Sequence, residues 1–173
     1  IQKAFETFQI SSNGFSINLS YLDMTNIVTT TFIIEKLEEF NVGPWVIFEI
    51  LESDGIENYE AIAKFIDQVK SYGAKIAIDD FGSGYSNFER LTELRVDFIK
   101  IDGSLIKNIH QNEEMKIIVK TIVSFAKELN IKTIAEYVHS KEVLECAQEI
   151  GIDYAQGFYI GKPNPELLIK PLY

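Results

Sequence analysis

The chain has 173 residues, of which 46% are hydrophobic, and a formal net charge of -10. This length supports one domain with a substantial core rather than two, and the acidic balance excludes a nucleic-acid duplex or an anionic membrane surface as partner. A lone cysteine, Cys146, excludes an internal disulfide, and no apolar run is long enough to cross a bilayer, so a cytoplasmic domain without membrane contact is expected, whatever anchors its parent.

Ile1, Ala4, Phe5 and Phe8 are spaced as on one helix face. Phe15 to Ser20 alternates apolar and small polar residues after the turn signal Ser-Ser-Asn-Gly, which predicts a strand ending near Asn18. Phe32, Ile33, Leu37 and Phe40 then share a face of a helix predicted over Thr31 to Phe40. Trp45 to Leu51 reads as a β-strand that carries Glu49 inside it and Glu52 just past it. An amphipathic helix from Glu60 to Tyr72 stops at Gly73, before a strand over Lys75 to Asp79.

That strand runs into adjacent carboxylates, Asp79 and Asp80, and a turn with two glycines, Gly82 and Gly84. A brief helix over Asn87 to Leu94 leads to a strand over Val96 to Ile101, which holds Lys100. His110 reads as a solvated loop residue. Met115 to Leu129 is the clearest helix, with Asn130 as a left-handed cap, and the strand Lys132 to Ala135 delivers Glu136. A helix over Lys141 to Ile150 ends at Gly151 and buries Cys146, and a last strand is predicted around Asp153 to Ile160, holding Gln156 and Gly157.

Strand and helix alternate, which predicts a parallel sheet with helices packed outside it, open or closed as a barrel, with six strands. An eight-stranded barrel takes roughly 250 residues, so the chain supplies most of one. Strand after strand ends in a polar group: Asn18, Glu49, Asp79 with Asp80, Lys100, Glu136 and Gln156. Parallel α/β folds gather such residues on one rim, where their active sites lie. Oxygen donors without histidine or cysteine point to a hard divalent ion, Mg²⁺ or Mn²⁺. Two ions sharing Asp79 would suit phosphodiester cleavage, and Lys100 would neutralise developing charge or form salt bridges to the acids. Each residue alone also has a plainer reading as a helix cap, turn former or paired charge.

Ser16-Ile-Asn-Leu-Ser20, Phe48-Glu-Ile-Leu-Glu-Ser53, Asp79-Asp-Phe-Gly-Ser-Gly-Tyr-Ser86, Phe98-Ile-Lys-Ile-Asp102, Thr133-Ile-Ala-Glu136 and Gln156-Gly-Phe158 together resemble, in order and spacing, the EAL domain, the cyclic di-GMP phosphodiesterase module of bacterial signalling proteins. The resemblance implies a modified TIM (β/α)8-type barrel with one antiparallel strand. It implies Asn18, Glu49 and Asp79 on one metal, and Asp79, Asp80 and Glu136 on a second. Lys100 and Gln156 would contact the attacking water, Glu52 would brace the loop after Asp79, and Tyr85 and Phe158 would touch substrate. Hydrolysis of cyclic di-GMP to linear pGpG follows, with sensory or GGDEF domains attached in the parent and a homodimer through the region Asp79 to Arg90.

The sequence departs from the family pattern in three places. No Glu-Ala-Leu occurs, so residues 1–173 are expected to be a single, N-terminally truncated EAL domain whose barrel is incomplete, with little turnover by itself. Tyr137 stands where glycine is usual, and His139 where a second acid is usual. A catalytically silent EAL domain acting as a cyclic di-GMP receptor or interaction module is the alternative. An unrelated barrel enzyme acting on a metal-bound enolate or phosphate would share the acidic rim but leaves the Asp-Asp-Phe-Gly-x-Gly stretch unexplained.

Overall fold

The computed structural model describes residues 1–9, 13–51, 59–83 and 88–164. Its elements are α1 (Gln2–Phe8), β1 (Phe15–Leu19), α2 (Tyr21–Thr25), α3 (Ile27–Phe40), β2 (Val46–Leu51), α4 (Tyr59–Ser71), β3 (Lys75–Phe81), α5 (Phe88–Glu93), β4 (Phe98–Ile101), α6 (Gly103–Ile106), α7 (Glu113–Glu128), β5 (Lys132–Ala135), α8 (Lys141–Ile150) and β6 (Tyr154–Ala155). The strands form one six-stranded sheet in sequence order, each pair parallel. Among the described residues β1 and β6 do not pair with each other, so the sheet is an open arc of barrel type, with no antiparallel strand.

The two-residue period of the strands sorts their side chains. Val46, Phe48 and Ile50 of β2, Ile76 and Ile78 of β3, and Ile99 and Ile101 of β4 lie in the main apolar core with residues of the helices, such as Ile62, Phe65, Val119 and Ile122. The alternating positions, among them Glu49, Asp79 and Lys100, turn to the opposite face of the arc. One face therefore holds the molecule together and the other is free to carry charge.

Capping explains where the helices depart from their predicted limits. The Asn26 side-chain oxygen accepts from Val28 N at 2.9 Å and Thr29 N at 3.2 Å and starts α3 at Ile27, four residues before Thr31. Ile27 and Val28 are exposed, so an apolar stripe could not reveal them. The short α2 was not predicted, and a capping box between Ser20 and Asp23 sets it. The last strand is shorter than expected: β6 covers Tyr154–Ala155, and the chain after it turns as Gln156 N donates to Ala135 O at 2.8 Å and Ile160 N to Gly157 O at 3.0 Å. His110 is a second correction. It is half-buried, with an Nδ1 that is buried and unpartnered, rather than solvated. Cys146 is buried as expected.

At the amino ends of the strands two aspartates act as clamps. Asp97 accepts from Ile76 N at 2.9 Å and pairs with Lys70 at 2.8 Å. Asp153 accepts from Thr133 N at 3.0 Å and from its hydroxyl at 3.1 Å. Stability features gather at that end, leaving the carboxyl ends for chemistry.

The core makes a direct prediction. Phe48 is fully buried with its ring 6.3 Å from that of Phe65, so Phe48→Ala should lower the unfolding free energy by about 3–5 kcal/mol in urea titrations.

Candidate metal centre at the carboxyl ends of the strands

The carboxyl ends of β2 to β5 bring four acids and one lysine together. Lys100, buried in β4, places its ammonium 2.7 Å from Asp79 Oδ1, 2.9 Å from Glu49 Oε2 and 3.0 Å from Glu136 Oε1. Oxygens of Asp79, Asp80 and Glu136 lie within 4.8 Å of one another. Asn18 of β1 is the register partner of Glu49 and is exposed.

Neighbouring residues of a regular strand point to opposite faces, so Asp79 and Asp80 should not share a site. The backbone resolves this conflict. Ile78 pairs with Ile99 and Phe81 with Ile101, which sets three steps on β3 against two on β4 and leaves one extra residue in the ladder. Asp80 takes up that excess at φ +55°, a left-handed conformation that aspartate tolerates better than most residues. The bulge thereby turns both carboxylates toward Glu136. Asp80 consequently lies within β3, which runs on to Phe81 rather than ending at Asp79 as the sequence predicted, because pairing resumes at Phe81. Gly82 follows at φ +95°, with Leu105 Cδ1 2.4 Å from where a Cβ would sit.

A family model described as EAL domain matches residues 2–163. The chain belongs to the EAL domain family. It is 38% identical over 171 residues to cyclic di-GMP phosphodiesterase PdeA of Borreliella burgdorferi, covering 95% of this chain and 26% of that protein. It is 36% identical to PdeB of Shewanella oneidensis, covering 95% of the chain and 20% of the relative. The chain thus spans about a fifth to a quarter of the length of these two relatives. Among solved structures, the EAL domain of Mycobacterium smegmatis DcpA superposes with a TM-score of 0.87 at 26% identity, covering 94% of this chain and 76% of that one. BlrP1 of Klebsiella pneumoniae, in a manganese and cyclic di-GMP complex, gives 0.82 at 28% identity, covering 94% and 43%. The open arc of six parallel strands thus shares the fold of solved EAL domains.

The charges of this EAL domain are unequally balanced. Burial opposes the Lys100 ammonium, yet the hydrogen bonds it donates to Asp79, Glu49 and Glu136 outweigh it and raise its pKa well above the ordinary lysine value. Burial raises the Glu136 pKa, and Lys100 pulls it back only in part. Asp80 is also raised, by burial first and then by the charges of Asp79 and Asp102. Lys100 therefore stabilises the fold at all pH values below the lysine range, and that contribution is lost as pH rises through its raised value. Asp80 and Glu136 carry the same sign at lower pH: their contribution is present below the ordinary carboxylate range and is lost as pH rises through their raised values. At neutral pH one cation faces an excess of anions.

That excess, made of hard oxygen donors, fits a divalent ion such as Mg²⁺, Mn²⁺ or Ca²⁺. Asp102, which the sequence sets at the end of β4 without a role in the site, acts on Asp80 through its charge and caps α6 by accepting from Ser104 N at 2.9 Å. Gln156 and Phe158 line a cavity beside Glu136, while Glu52 and Tyr85 lie outside the described residues.

Two predictions follow from this charge balance. Lys100→Met leaves three acids facing one another and should cost about 3–5 kcal/mol in urea titrations with EDTA; saturating Mn²⁺ should recover part of the loss. Asp80→Asn keeps a residue suited to left-handed backbone while removing one repelling charge. It should raise the metal-free melting temperature by about 2–4 °C, the effect of roughly 1 kcal/mol in a domain of this size, and reduce the further rise that Mn²⁺ produces.

Proposed function

We propose that the full-length protein hydrolyses cyclic di-GMP to linear pGpG, and that the acid cluster around Lys100 is its catalytic centre. The observation that carries this reading is the convergence of Asp79, Asp80 and Glu136 within 4.8 Å, with Glu49 tied to the same group through Lys100. The names of the curated relatives and the cyclic di-GMP complexes of solved EAL structures support the same substrate.

In this reading Asn18, Glu49, Asp79, Asp80 and Glu136 would hold two Mg²⁺ or Mn²⁺ ions, which would supply an activated water and charge stabilisation at the phosphate. Lys100 offsets the negative charge that grows on the phosphoryl oxygens as one oxygen–phosphorus bond forms and the bond to the ribose oxygen breaks. Its fixed place among three acids means that it need not reorganise during the reaction. Gln156 orients the water with its side-chain amide. Phe158 contacts substrate, and Tyr85 and Glu52 take the substrate-contact and loop-bracing roles implied by the family.

The same reading places the domain in the cytoplasm, with sensory or GGDEF domains in the remainder of the protein. One relative, MucR of Pseudomonas aeruginosa, is named as a bifunctional diguanylate cyclase and cyclic di-GMP phosphodiesterase. A homodimer through the region Asp79 to Arg90 completes the proposal.

The alternative, a silent receptor, draws on the three-fold neutralisation of Lys100, which lets the acids persist without an ion. Chromatography of cyclic di-GMP incubated with the full-length protein and Mn²⁺ separates the two. Linear pGpG should accumulate, and Asp79→Asn should slow its formation by at least 100-fold. Tight binding of the dinucleotide with no product would establish the receptor instead.

A further inference from the structure

The segments that leave β5 and β6 carry a feature that the metal centre does not use. Tyr137, directly after Glu136, has φ +56°, a conformation that is strained for an aromatic residue. Its side chain gains little burial in return, being 63% exposed. Strain that burial does not offset, one residue from the acid cluster, suggests a ligand contact.

The surroundings specify which kind. Tyr137, His139, Gln156, Gly157 and Phe158 line a cavity of about 250 Å³. The Tyr137 and His139 rings are 5.6 Å apart at 54°, and Phe158 contributes a third ring that is 67% exposed. The backbone beneath them is fixed: Val138 N donates to Gln156 O and Tyr159 N to Val138 O, both at 3.0 Å. At Gly157 (φ +156°) a Cβ would fall 2.2 Å from Val138 O, so the floor of the cavity admits no side chain. Gly103 likewise leaves room for Tyr137, whose Cβ lies 2.7 Å from where a Gly103 Cβ would be. The cavity is smaller than the ~300 Å³ at which pockets for whole small-molecule ligands begin, which suits one flat ring system. Its aromatic walls and the Gln156 amide match a heteroaromatic ring with hydrogen-bonding edges.

We propose that Tyr137, with His139 and Phe158, forms a stacking slot for one nucleobase of the substrate, and that Tyr137 is a specificity-determining residue. The inference rests on the phosphodiesterase reading, since the slot adjoins Glu136 and would seat a base while a phosphate faces the acids. Stacking on an aromatic ring tolerates any base, so selection for guanine falls to His139 Nε2 at the edge of the slot, the ring's Nδ1 being held 3.2 Å from Tyr137 O.

The test compares the wild-type full-length protein with Tyr137→Gly, Tyr137→Phe and Asp79→Asn. Hydrolysis is followed with Mn²⁺, cyclic di-GMP binding by calorimetry with Ca²⁺, and folding by thermal melting. Tyr137→Gly removes the ring and relieves the strained φ. It should raise KM and Kd about tenfold or more, the size of one base–aromatic stack, with a smaller change in kcat and no fall in Tm. Tyr137→Phe keeps the ring and should recover most of the affinity. Wild-type affinity in Tyr137→Gly overturns the slot while leaving the phosphodiesterase reading intact. A defect shared by both Tyr137 variants together with a lowered Tm makes the residue structural and overturns it equally. Failure of the wild type both to bind and to hydrolyse cyclic di-GMP overturns the underlying reading, and the slot with it.

Discussion

The structure depends on one buried ammonium. Lys100 is 4% exposed and contacts carboxylates from β2, β3 and the residue that follows β5, so a single side chain ties the inner ends of four strands together. Moving either sign of charge out of water alone would cost several kcal/mol, and the contact distances of 2.7–3.0 Å offset that cost. The compensation stops short of neutrality. Asp80 and Glu136 remain raised in pKa, so the fold keeps an unsatisfied demand for positive charge at the carboxyl ends of the strands. The interaction that makes the acid ring tolerable thus also leaves it short of positive charge.

The helices on the other face make this arrangement possible. Alternation along β2 assigns Phe48 and Ile50 to the apolar core and Glu49 to the charged face, so neither demand compromises the other. The Asp97 and Asp153 clamps secure the amino ends of β3 and β5. Rigid strands anchored at one end hold side chains at the other within the tolerances that catalysis requires.

Much of this was legible in the sequence because it obeys local rules. Hydrophobic periodicity marked all six strands, and charges at their ends marked the rim. The elements that escaped obey rules that periodicity does not carry. Helix α3 starts at an asparagine cap under exposed Ile27 and Val28, and α2 depends on a reciprocal contact between Ser20 and Asp23. The β3 bulge was invisible for a different reason. Two adjacent aspartates read equally well as a strand mouth or as one residue too many, and only the pairing of Phe81 with Ile101 decides between them. The extent of β6 failed similarly: Gln156 to Ile160 has strand composition, but its amides turn back to Ala135, Val138 and Gly157.

Backbone strain follows the same division of labour. The non-glycine residues with positive φ among the described residues are Asn41, Asp80, Arg95, Asn130 and Tyr137. Asn41 and Asn130 follow helices, where asparagine adopts this geometry at little cost, and Arg95 precedes β4 in a turn. Asp80 and Tyr137 differ, for each sits beside the acid cluster and each brings a side chain to a place that regular strand geometry would deny it. At Asp80 the return is explicit, a second carboxylate on the face that Asp79 already occupies. At Tyr137 the ring gains no burial comparable to its strain, and the base stack we propose supplies the compensation that the folded chain does not.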